Sequence, residues 1–140
     1  MTGDSICIEI PGPPRGQGRP KATIRGSHAG VYTDAKTAAY QNLIALESKR
    51  VMGKRPPMAG PITLTLFARF PLPASISKKE RQRRMDEGPT KKPDLSNILK
   101  AAEDGMNGIV FRDDAQITKT IAVKMYSDTP GLEIWVSDIL

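Results

Sequence analysis

The sequence predicts an α+β fold: a single domain over residues 1–140, with a mixed β-sheet covered by helices on one face. Three observations predict it. Segments that alternate apolar and polar residues, as strands do, occur at the beginning, middle and end of the chain. Longer segments between them carry apolar residues at helical spacing. No internal repeat or low-complexity tract indicates a second domain, and 140 residues are enough for one buried core.

The first half of the chain is predicted to hold a strand, a long loop and a helix. The strand covers residues 5–10, where β-branched residues alternate with polar ones. The proline- and glycine-rich stretch that follows predicts an irregular loop as far as about Thr33. A helix is predicted over residues 34–53, with Thr33 or Asp34 as its N-cap and Gly53 as its C-terminal stop. Its apolar face is expected to contain Ala39, Leu43, Leu46 and Met52.

The second half of the chain is predicted to hold three strands and two helices. Residues 61–70 alternate apolar and polar residues, which indicates a strand with one buried side. Residues 77–85 predict a short, highly charged helix without an apolar face. Two strands, roughly 116–126 and 131–138, are predicted to end the fold.

The remaining helix begins at Asp94 and has the clearest apolar stripe. Its residues recur at spacings of three and four, and we expect the helix to end at Asn107-Gly108. The predicted buried residues are Leu95, Ile98, Leu99, Ala102 and Met106.

The distribution of charge is more informative than the net charge of +6, which favours a polyanionic partner only weakly. Residues 11–56 contain nine Lys/Arg against two acids, and residues 78–92 contain seven against three. Between Asp94 and Asp114 the balance reverses, with five acids against two basic residues. This pattern suits an enzyme that holds phosphates with basic flanks and a cation at an acidic centre. A solvated basic face with a chance acidic cluster is the alternative.

Composition excludes or disfavours several classes of protein and site. Cys7 and His28 are the only cysteine and histidine, so neither an intrachain disulfide nor a zinc site of the usual Cys/His kind can form. Any metal must therefore be held mainly by oxygen. No apolar run is long enough for a membrane span, the N-terminus lacks a signal-peptide pattern, and no nucleotide-binding P-loop is present. We expect a cytoplasmic protein without a nucleotide cofactor.

Polar residues beside the apolar stripe of the helix at Asp94 are candidates for chemistry. Three of them stack at i, i+4 and i+8, namely Ser96, Lys100 and Asp104. If a strand that starts near Asp114 runs beside the start of this helix, Asp113 or Asp114 can meet Asp94. Two converging carboxylates repel each other unless a cation lies between them, so such a pair suits Mg²⁺ or Mn²⁺. A nearby lysine would neutralise developing charge on a phosphate.

Each of these residues also has a structural interpretation. Asp94 is a residue that a helix N-cap favours. Lys100 and Asp104 form an i,i+4 pair of the kind found on solvated helix surfaces. Asp113 and Asp114 suit a turn before a strand. Spacing alone leaves the metal site and structural coincidence as open alternatives.

Three separated segments carry a more specific pattern. Residues 92–100 read KPDLSNILK, residues 103–108 read EDGMNG, and residues 113–117 read DDAQI. They resemble the RusA family of Holliday-junction resolvases, which reads approximately K-P-D-x-D-N-hydrophobic-x-K, D-hydrophobic-N-G and D-D-x-Q-hydrophobic. Residues 18–21 (GRPK) and 31–33 (VYT) also resemble the family's N-terminal loop and the step before its first helix. The resemblance covers most of the chain, in the family's order and spacing.

The resemblance implies a homodimeric α+β endonuclease, of bacterial or phage origin, that cuts four-way DNA junctions with Mg²⁺ or, as a substitute, Mn²⁺. Asp94 and Asp114 match the family's first and last catalytic aspartates, and Lys100 matches a lysine that the family needs. The metal ligands implied are Asp94, Ser96, Asp113 and Asp114. Paired sites on a two-fold dimer suit symmetric nicking of a junction in recombination and repair, because the junction has a matching two-fold axis.

Two basic segments, residues 11–25 and 78–92, are then expected to follow the phosphates of branched DNA. The DNA-binding residues expected in them are Arg15, Arg19, Lys21, Arg25, Lys78, Lys79, Arg81, Arg83, Arg84, Lys91 and Lys92. A basic RNA- or protein-binding module is a weaker alternative, because the sequence has no interleaved aromatic and basic motif for stacking bases.

One position departs from the family pattern. Ser96 stands where the family usually has a second aspartate. A serine hydroxyl can ligate Mg²⁺ but supplies no negative charge, so we expect weaker metal affinity. The favoured hypothesis is a working nuclease in which Asp113 or Asp104 compensates, or in which one ion is held tightly. The alternative is a junction-binding protein whose cleavage is weakened by Ser96.

Overall fold

The computed structural model describes residues 4–17, 21–25, 28–32 and 35–138. These residues form six strands and three helices in an α+β arrangement. In chain order they are β1 (Ser5–Pro11), β2 (Lys21–Arg25), β3 (His28–Tyr32), α1 (Ala35–Met52), β4 (Ile62–Pro71), α2 (Lys78–Glu87), α3 (Leu95–Met106), β5 (Ile117–Ser127) and β6 (Gly131–Ser137).

The main sheet has the strand order β1-β6-β4-β5. The β4–β5 pair is parallel and the other pairs are antiparallel, so the predicted mixed sheet is confirmed. Alternate residues of three strands point into one core, as the period of two requires. The fully buried ones are Ile8, Ile10, Ile62, Leu64, Leu66, Ala68, Leu132, Ile134 and Val136. Helix α1 packs on β1 and on α3, and α3 packs on β4 and β5, which confirms the helix-covered face.

Most predicted elements lie within a few residues of their expected bounds. The charged helix α2 is capped by the Ser77 side chain and buries none of its residues, as expected. Helix α3 buries Ile98, Ala102 and Met106 and ends with Asn107 as its C-cap, as expected. The other two residues of the predicted stripe, Leu95 and Leu99, are only half-buried. Gly53 ends α1 with a φ of +58°, which a side chain would disfavour. No helix of the described residues is long and apolar enough to cross a bilayer.

The prediction of an irregular loop as far as about Thr33 was wrong. Within that stretch β2 and β3 pair as an antiparallel hairpin, and the pairing of Arg25 with His28 leaves a two-residue connection. A Gly-Ser connection between two apolar-containing segments is itself a hairpin pattern. The loop had been predicted from the dense prolines and glycines that precede the hairpin. Thr33 and Asp34, the proposed N-caps, lie outside the described residues.

The predicted buried face of α1 was also wrong in part. Leu46 is 62% exposed and Ala39 is exposed, whereas Tyr40, Ile44 and Met52 are buried. The buried stripe also includes two polar residues, which obscured it in the sequence. One of them, Ser48, donates its hydroxyl hydrogen to the Ile44 carbonyl at 2.7 Å, so its burial leaves no donor unsatisfied.

Two aliphatic residues of α1 therefore test the corrected face. We expect Ile44→Ala to lower the free energy of unfolding by about 2–5 kcal/mol, because it opens a cavity against α3. Leu46→Ala, on the exposed side of the same helix, should change it by less than about 0.5 kcal/mol. Urea denaturation of both variants measures the difference. Equal losses for the two variants would show that the α1 face has been assigned wrongly.

Candidate active site

The residue just before helix α3 is an aspartate whose side chain does not cap the helix. Asp94 occupies the N-cap position with φ −64° and ψ 144°, but its side chain makes no capping hydrogen bond. The residue is exposed. Its carboxylate therefore remains available to a ligand, although its position is the one that helix capping alone would have predicted.

A lysine and two carboxylates meet farther along α3. Lys100 Nζ lies 2.9 Å from Asp104 Oδ1 and 4.0 Å from Asp114 Oδ2. Gln41 of α1 donates to the other Asp104 oxygen at 3.5 Å. The hydrogen bond to Asp104 raises the pKa of Lys100, so its ammonium group stays charged. Lys100 and Asp104 thus form the predicted i,i+4 pair, and the pair faces Asp114.

Carboxylates are crowded around this lysine. The carboxyl groups of Asp113 and Asp114 lie within hydrogen-bonding reach of each other, which raises the pKa of Asp114 and lowers the pKa of Asp113. Burial raises the pKa of the Glu103 carboxyl, and the negative charge of Asp114 raises it further. Lys100 lowers the pKa of both carboxyl groups, but burial of Glu103 and the hydrogen bond of Asp114 with Asp113 have larger effects in the opposite direction.

Hydrogen bonds between the Gln116 side chain and backbone groups hold the loop that carries Asp113 and Asp114. Gln116 Oε1 accepts from the backbone N–H groups of Arg112 at 2.8 Å and Asp113 at 3.0 Å. Its Nε2 donates to the carbonyl oxygens of Met58 at 2.9 Å and Gly60 at 3.0 Å. All four partners agree on the orientation of this amide. One side chain therefore fixes the two aspartates to the segment before β4.

The same loop is also joined to the end of α3. The Asp114 backbone N–H donates to Asn107 Oδ1 at 3.1 Å. Between them, Val110 and Phe111 are fully buried, and the Val110 carbonyl accepts from Met58 N–H at 2.7 Å. The short apolar run that follows α3 is thus an anchor, and it turns the chain back so that Asp114 reaches Lys100.

Asp94 lies in a different neighbourhood of the same helix. Six residues at 1.5 Å per residue separate it from Lys100 by about 9 Å along the helix axis. Asp94 lines a cavity of about 450 Å³. The other lining residues are Pro14, Arg15, Gly16, Gln17, Lys36, Thr37, Lys92, Pro93 and Asn97. The fold brings Lys100, Asp113 and Asp114 together, whereas Asp94 lies in the wall of a cavity that is also lined by basic residues.

The metal-ligand residues that were predicted do not form a closed cage. Within the described ranges, no group of three or more Asp, Glu, His or Cys side chains is arranged to hold an ion. Ser96 is exposed in the first turn of α3, one turn before Lys100 on the same stripe.

Comparison with known proteins decides the family. The sequence pattern of the family described as Endodeoxyribonuclease RusA matches residues 11–137. The chain belongs to the RusA family. The resemblance found in its motifs is thereby confirmed, and the chain is an endodeoxyribonuclease, a hydrolase that acts on DNA. It is also similar to the uncharacterized protein YqaN of Bacillus subtilis strain 168, with 29% identity over 142 residues, 97% of this chain and 98% of that protein.

In this RusA-family chain, the basic residues predicted to bind DNA differ in their surroundings. Arg15 and Lys92 line the cavity beside Asp94. Three arginines of α2 are engaged in ion pairs with carboxylates of α2 or, for Arg81, with Asp128. Exposed pairs of this kind contribute little to stability, so a DNA phosphate can replace the carboxylate partner. Arg19 lies outside the described residues, and Lys21 and Arg25 are in β2.

Sequence reasoning missed several residues of the site. Glu103 stands three residues after Lys100, on the same side of α3, but its half-buried position depends on the returning loop. Lys36 was not assigned to the DNA-binding set, because it lies beyond the basic loop and its place beside Asp94 requires the packing of α1 against α3. In the sequence, Gln116 stands out only as one position of the family motif, and its hydrogen bonds to the loop could not be predicted from it.

Gln116→Ala tests the clamp on the two aspartates. Because the substitution removes four hydrogen bonds to the backbone, we expect a loss of about 1–3 kcal/mol in the free energy of unfolding. We also expect a lower rate of DNA cleavage, since Asp113 and Asp114 lose their fixed position.

Gln82→Ala is the matched control, because Gln82 donates one exposed hydrogen bond within α2. It should change the free energy of unfolding by less than about 0.5 kcal/mol and leave cleavage unchanged. Denaturation and a cleavage assay of both variants measure these effects. If the two glutamine variants behave alike, Gln116 does not hold the site.

Proposed function

We propose that this chain is a divalent-metal-dependent resolvase that cuts four-way DNA junctions by symmetric nicking, in recombination and repair. Residues 1–140 would act as one domain of a homodimer, in the cytoplasm of a bacterium or of a phage-infected cell. The observation that carries the proposal is that Lys100 of α3 lies beside Asp104 and Asp114 in a chain of the RusA family. The same helix is preceded by Asp94, whose side chain makes no capping hydrogen bond.

The donor set of the site fits Mg²⁺, with Mn²⁺ as a substitute. All candidate ligands are oxygens, which these hard cations prefer. The carboxyl groups of Asp113 and Asp114 lie against each other, and a cation beside them would relieve that repulsion. Mg²⁺ usually keeps several waters and takes only one or two protein carboxylates, so a closed cage is not required.

We assign the metal to the carboxylates of Asp113 and Asp114. Asp94, about 9 Å from Lys100 along the helix axis, and the Ser96 hydroxyl as a weaker ligand would join it through the waters that Mg²⁺ usually keeps. When bound, the ion would supply Lewis-acid polarisation of the phosphate and a lower pKa for the attacking water. The catalytic carboxylates of Asp94 and Asp114 would orient that water.

Lys100 supplies positive charge next to the reacting phosphate. Its hydrogen bond to Asp104 holds the ammonium group on the Asp114 side, at 4.0 Å from the nearer carboxylate oxygen. A phosphate oxygen that enters between them would gain a charge-assisted hydrogen bond as negative charge develops. Asp104 acts through Lys100 and is a positioning residue.

The uncovered face of the sheet supports the proposed homodimer. Trp135 is 42% exposed, Ile121 is 44% exposed and Val123 is 37% exposed. Trp135 and Ile121 flank Thr65 across adjacent strands, so they share the face opposite the helices. Large apolar residues exposed on one sheet face are typical of a surface that associates with a partner. Light scattering should give about twice the 15.3 kDa of one chain; a monomer at all concentrations would contradict the proposal.

The DNA path that we propose runs from the residues of the 11–25 segment, past Asp94, to α2 and the residues that follow it. Lys124 donates to the Lys91 carbonyl at 2.6 Å, which ties the end of this second segment to β5. The residues of the path are Arg15, Arg19, Lys21, Arg25, Lys78, Lys79, Arg81, Arg83, Arg84, Lys91 and Lys92. Their summed charge favours a polyanion with strongly salt-dependent affinity.

Charge-removing substitutions test the catalytic assignment. We expect Asp94→Asn and Asp114→Asn each to reduce Mg²⁺-dependent nicking of a synthetic four-way junction by at least about a hundredfold, because each removes a ligand charge. Binding of the junction in EDTA should persist. Asp86→Asn, on the exposed surface of α2, is the control and should cut as the parent does.

The result that would overturn the assignment is parental cleavage by both Asp94→Asn and Asp114→Asn. A non-branched duplex, assayed in parallel, tests the substrate. Cutting of duplex and junction at equal rates would replace the resolvase by a general nuclease.

A junction-binding protein with weak cleavage is the second candidate, and Ser96 is the observation that favours it. Ser96 lies one helical turn before Lys100, so an aspartate there would add a carboxylate beside the site. On this hypothesis the parent binds branched DNA tightly but cuts it slowly, and Ser96→Asp raises cleavage about tenfold or more at limiting Mg²⁺.

Ser96→Asn is the matched control, because it introduces a side chain of the size of aspartate at the same position without the charge. Metal titration of the cleavage rate distinguishes the candidates. A parent that cuts efficiently, together with a Ser96→Asp variant that gains nothing, would exclude the binding-protein hypothesis.

A further inference from the structure

The cavity beside Asp94 lies at the N-terminal end of α3 and against α1. Lys36 and Thr37 of α1 line it, as do Asp94 and Asn97 of α3. The first backbone N–H groups of a helix have no partner within the helix, and the helix dipole is positive at that end. The N-terminal end of α3 therefore favours an anion in the cavity.

Basic side chains strengthen that preference. Arg15, Lys36 and Lys92 line the cavity, and among the described residues Asp94 is the one carboxylate that lines it. Arg15 and Lys36 also line an adjoining cavity of about 290 Å³. The three basic residues come from three separate segments of the chain, which the fold brings together around one concave site.

The wall formed by the 14–17 segment is fixed on α3. The Gln17 backbone N–H donates to the Asn97 carbonyl at 3.0 Å. A Cβ atom added to Gly16 would lie 2.9 Å from the Cβ atoms of Pro93 and Asn97, so the segment approaches α3 as closely as a glycine allows. Gln17 Oε1 is buried without a hydrogen-bond partner among the described residues.

We propose that this cavity binds one phosphodiester group of the DNA strand, next to the phosphate that is cleaved. Lys36 is its central cation, and Arg15 and Lys92 flank it. The proposal rests on the function proposed above, since it uses Asp94 as the link between the two phosphates. A phosphate fixed here would set the position of the neighbouring phosphate at the catalytic residues.

Lys36→Gln tests the cavity, and Lys49→Gln in the last turn of the same helix is its matched control. Junction affinity is measured in EDTA over a range of salt concentrations. Each phosphate contact contributes about 0.9 to the slope of log affinity against log salt. We expect Lys36→Gln to lose about one unit of slope and to bind five- to tenfold more weakly at 0.1 M salt, roughly the effect of one lost contact. Lys49→Gln should bind as the parent does.

Neutral phosphates locate the contact. Single methylphosphonates in one junction strand should weaken binding by the parent most strongly at the phosphate adjacent to the cleaved bond. Lys36→Gln should lose nothing further at that position, because its partner is already gone. Arg15→Gln gives a second variant of the same cavity, so the test does not depend on the folding of Lys36→Gln.

The proposal is overturned if Lys36→Gln and Lys49→Gln have the same salt slope, or if the methylphosphonate and Lys36→Gln effects add at every position. Its failure differs from that of the proposed function. A chain that never cuts junctions can still give the Lys36-dependent slope, since binding is measured without a divalent metal. Conversely, the parent can cut junctions normally even if the parent and Lys36→Gln bind the junction with the same affinity and salt slope.

Discussion

Repulsion between carboxylates is the constraint on which the candidate active site depends. The fold brings Asp114 against Asp113 and within reach of Lys100, where an unconstrained loop would move the charges apart. Gln116 and Asn107 oppose that movement through hydrogen bonds to the loop backbone. The stability needed for this comes from the core, where the neighbouring Phe111 is fully buried. On the proposed function, such a site is arranged for a cation before one binds.

One-sided packing of the sheet organises the rest of the molecule. Both core helices lie on the same face, and residues of both line the cavity at Asp94. The other face leaves Trp135, Ile121 and Val123 exposed. On the proposed function, catalysis and DNA binding belong to the helix side and association of two chains to the opposite face of the sheet. The two proposed functions would then use separate surfaces.

Sequence periodicity predicted elements well where one residue pattern dominated. The alternation in β4 and the apolar stripe of α3 gave correct buried faces, because every second residue or every turn repeated the same preference. The buried face of α1 was predicted wrongly because Ser48 satisfies its hydroxyl group inside the helix, which no hydropathy pattern reveals. The β2–β3 hairpin was missed because the dense run of prolines and glycines before it predicted a loop.

The candidate site could be predicted as a set of residues but not as a geometry. Helical spacing related Ser96 to Lys100, and the motif supplied Asp113 and Asp114. The hydrogen bonds of Gln116 and the cavity that joins Lys36 to Asp94 depend on contacts between distant segments, which spacing does not encode. Nothing in the spacing of the motifs predicted that Asp94 and Asp114 lie in two different parts of the site.

The central claim is that these two parts of the site share a bound divalent cation. Mn²⁺ broadens the resonances of nearby nuclei, so titration of the ¹⁵N-labelled chain with substoichiometric Mn²⁺ maps the ion directly. The account predicts that the backbone amides of residues 94–97 and 113–115 broaden together, and that excess Mg²⁺ restores both sets. Broadening confined to one of the two sets, or found instead at the acidic residues of α2, would contradict it.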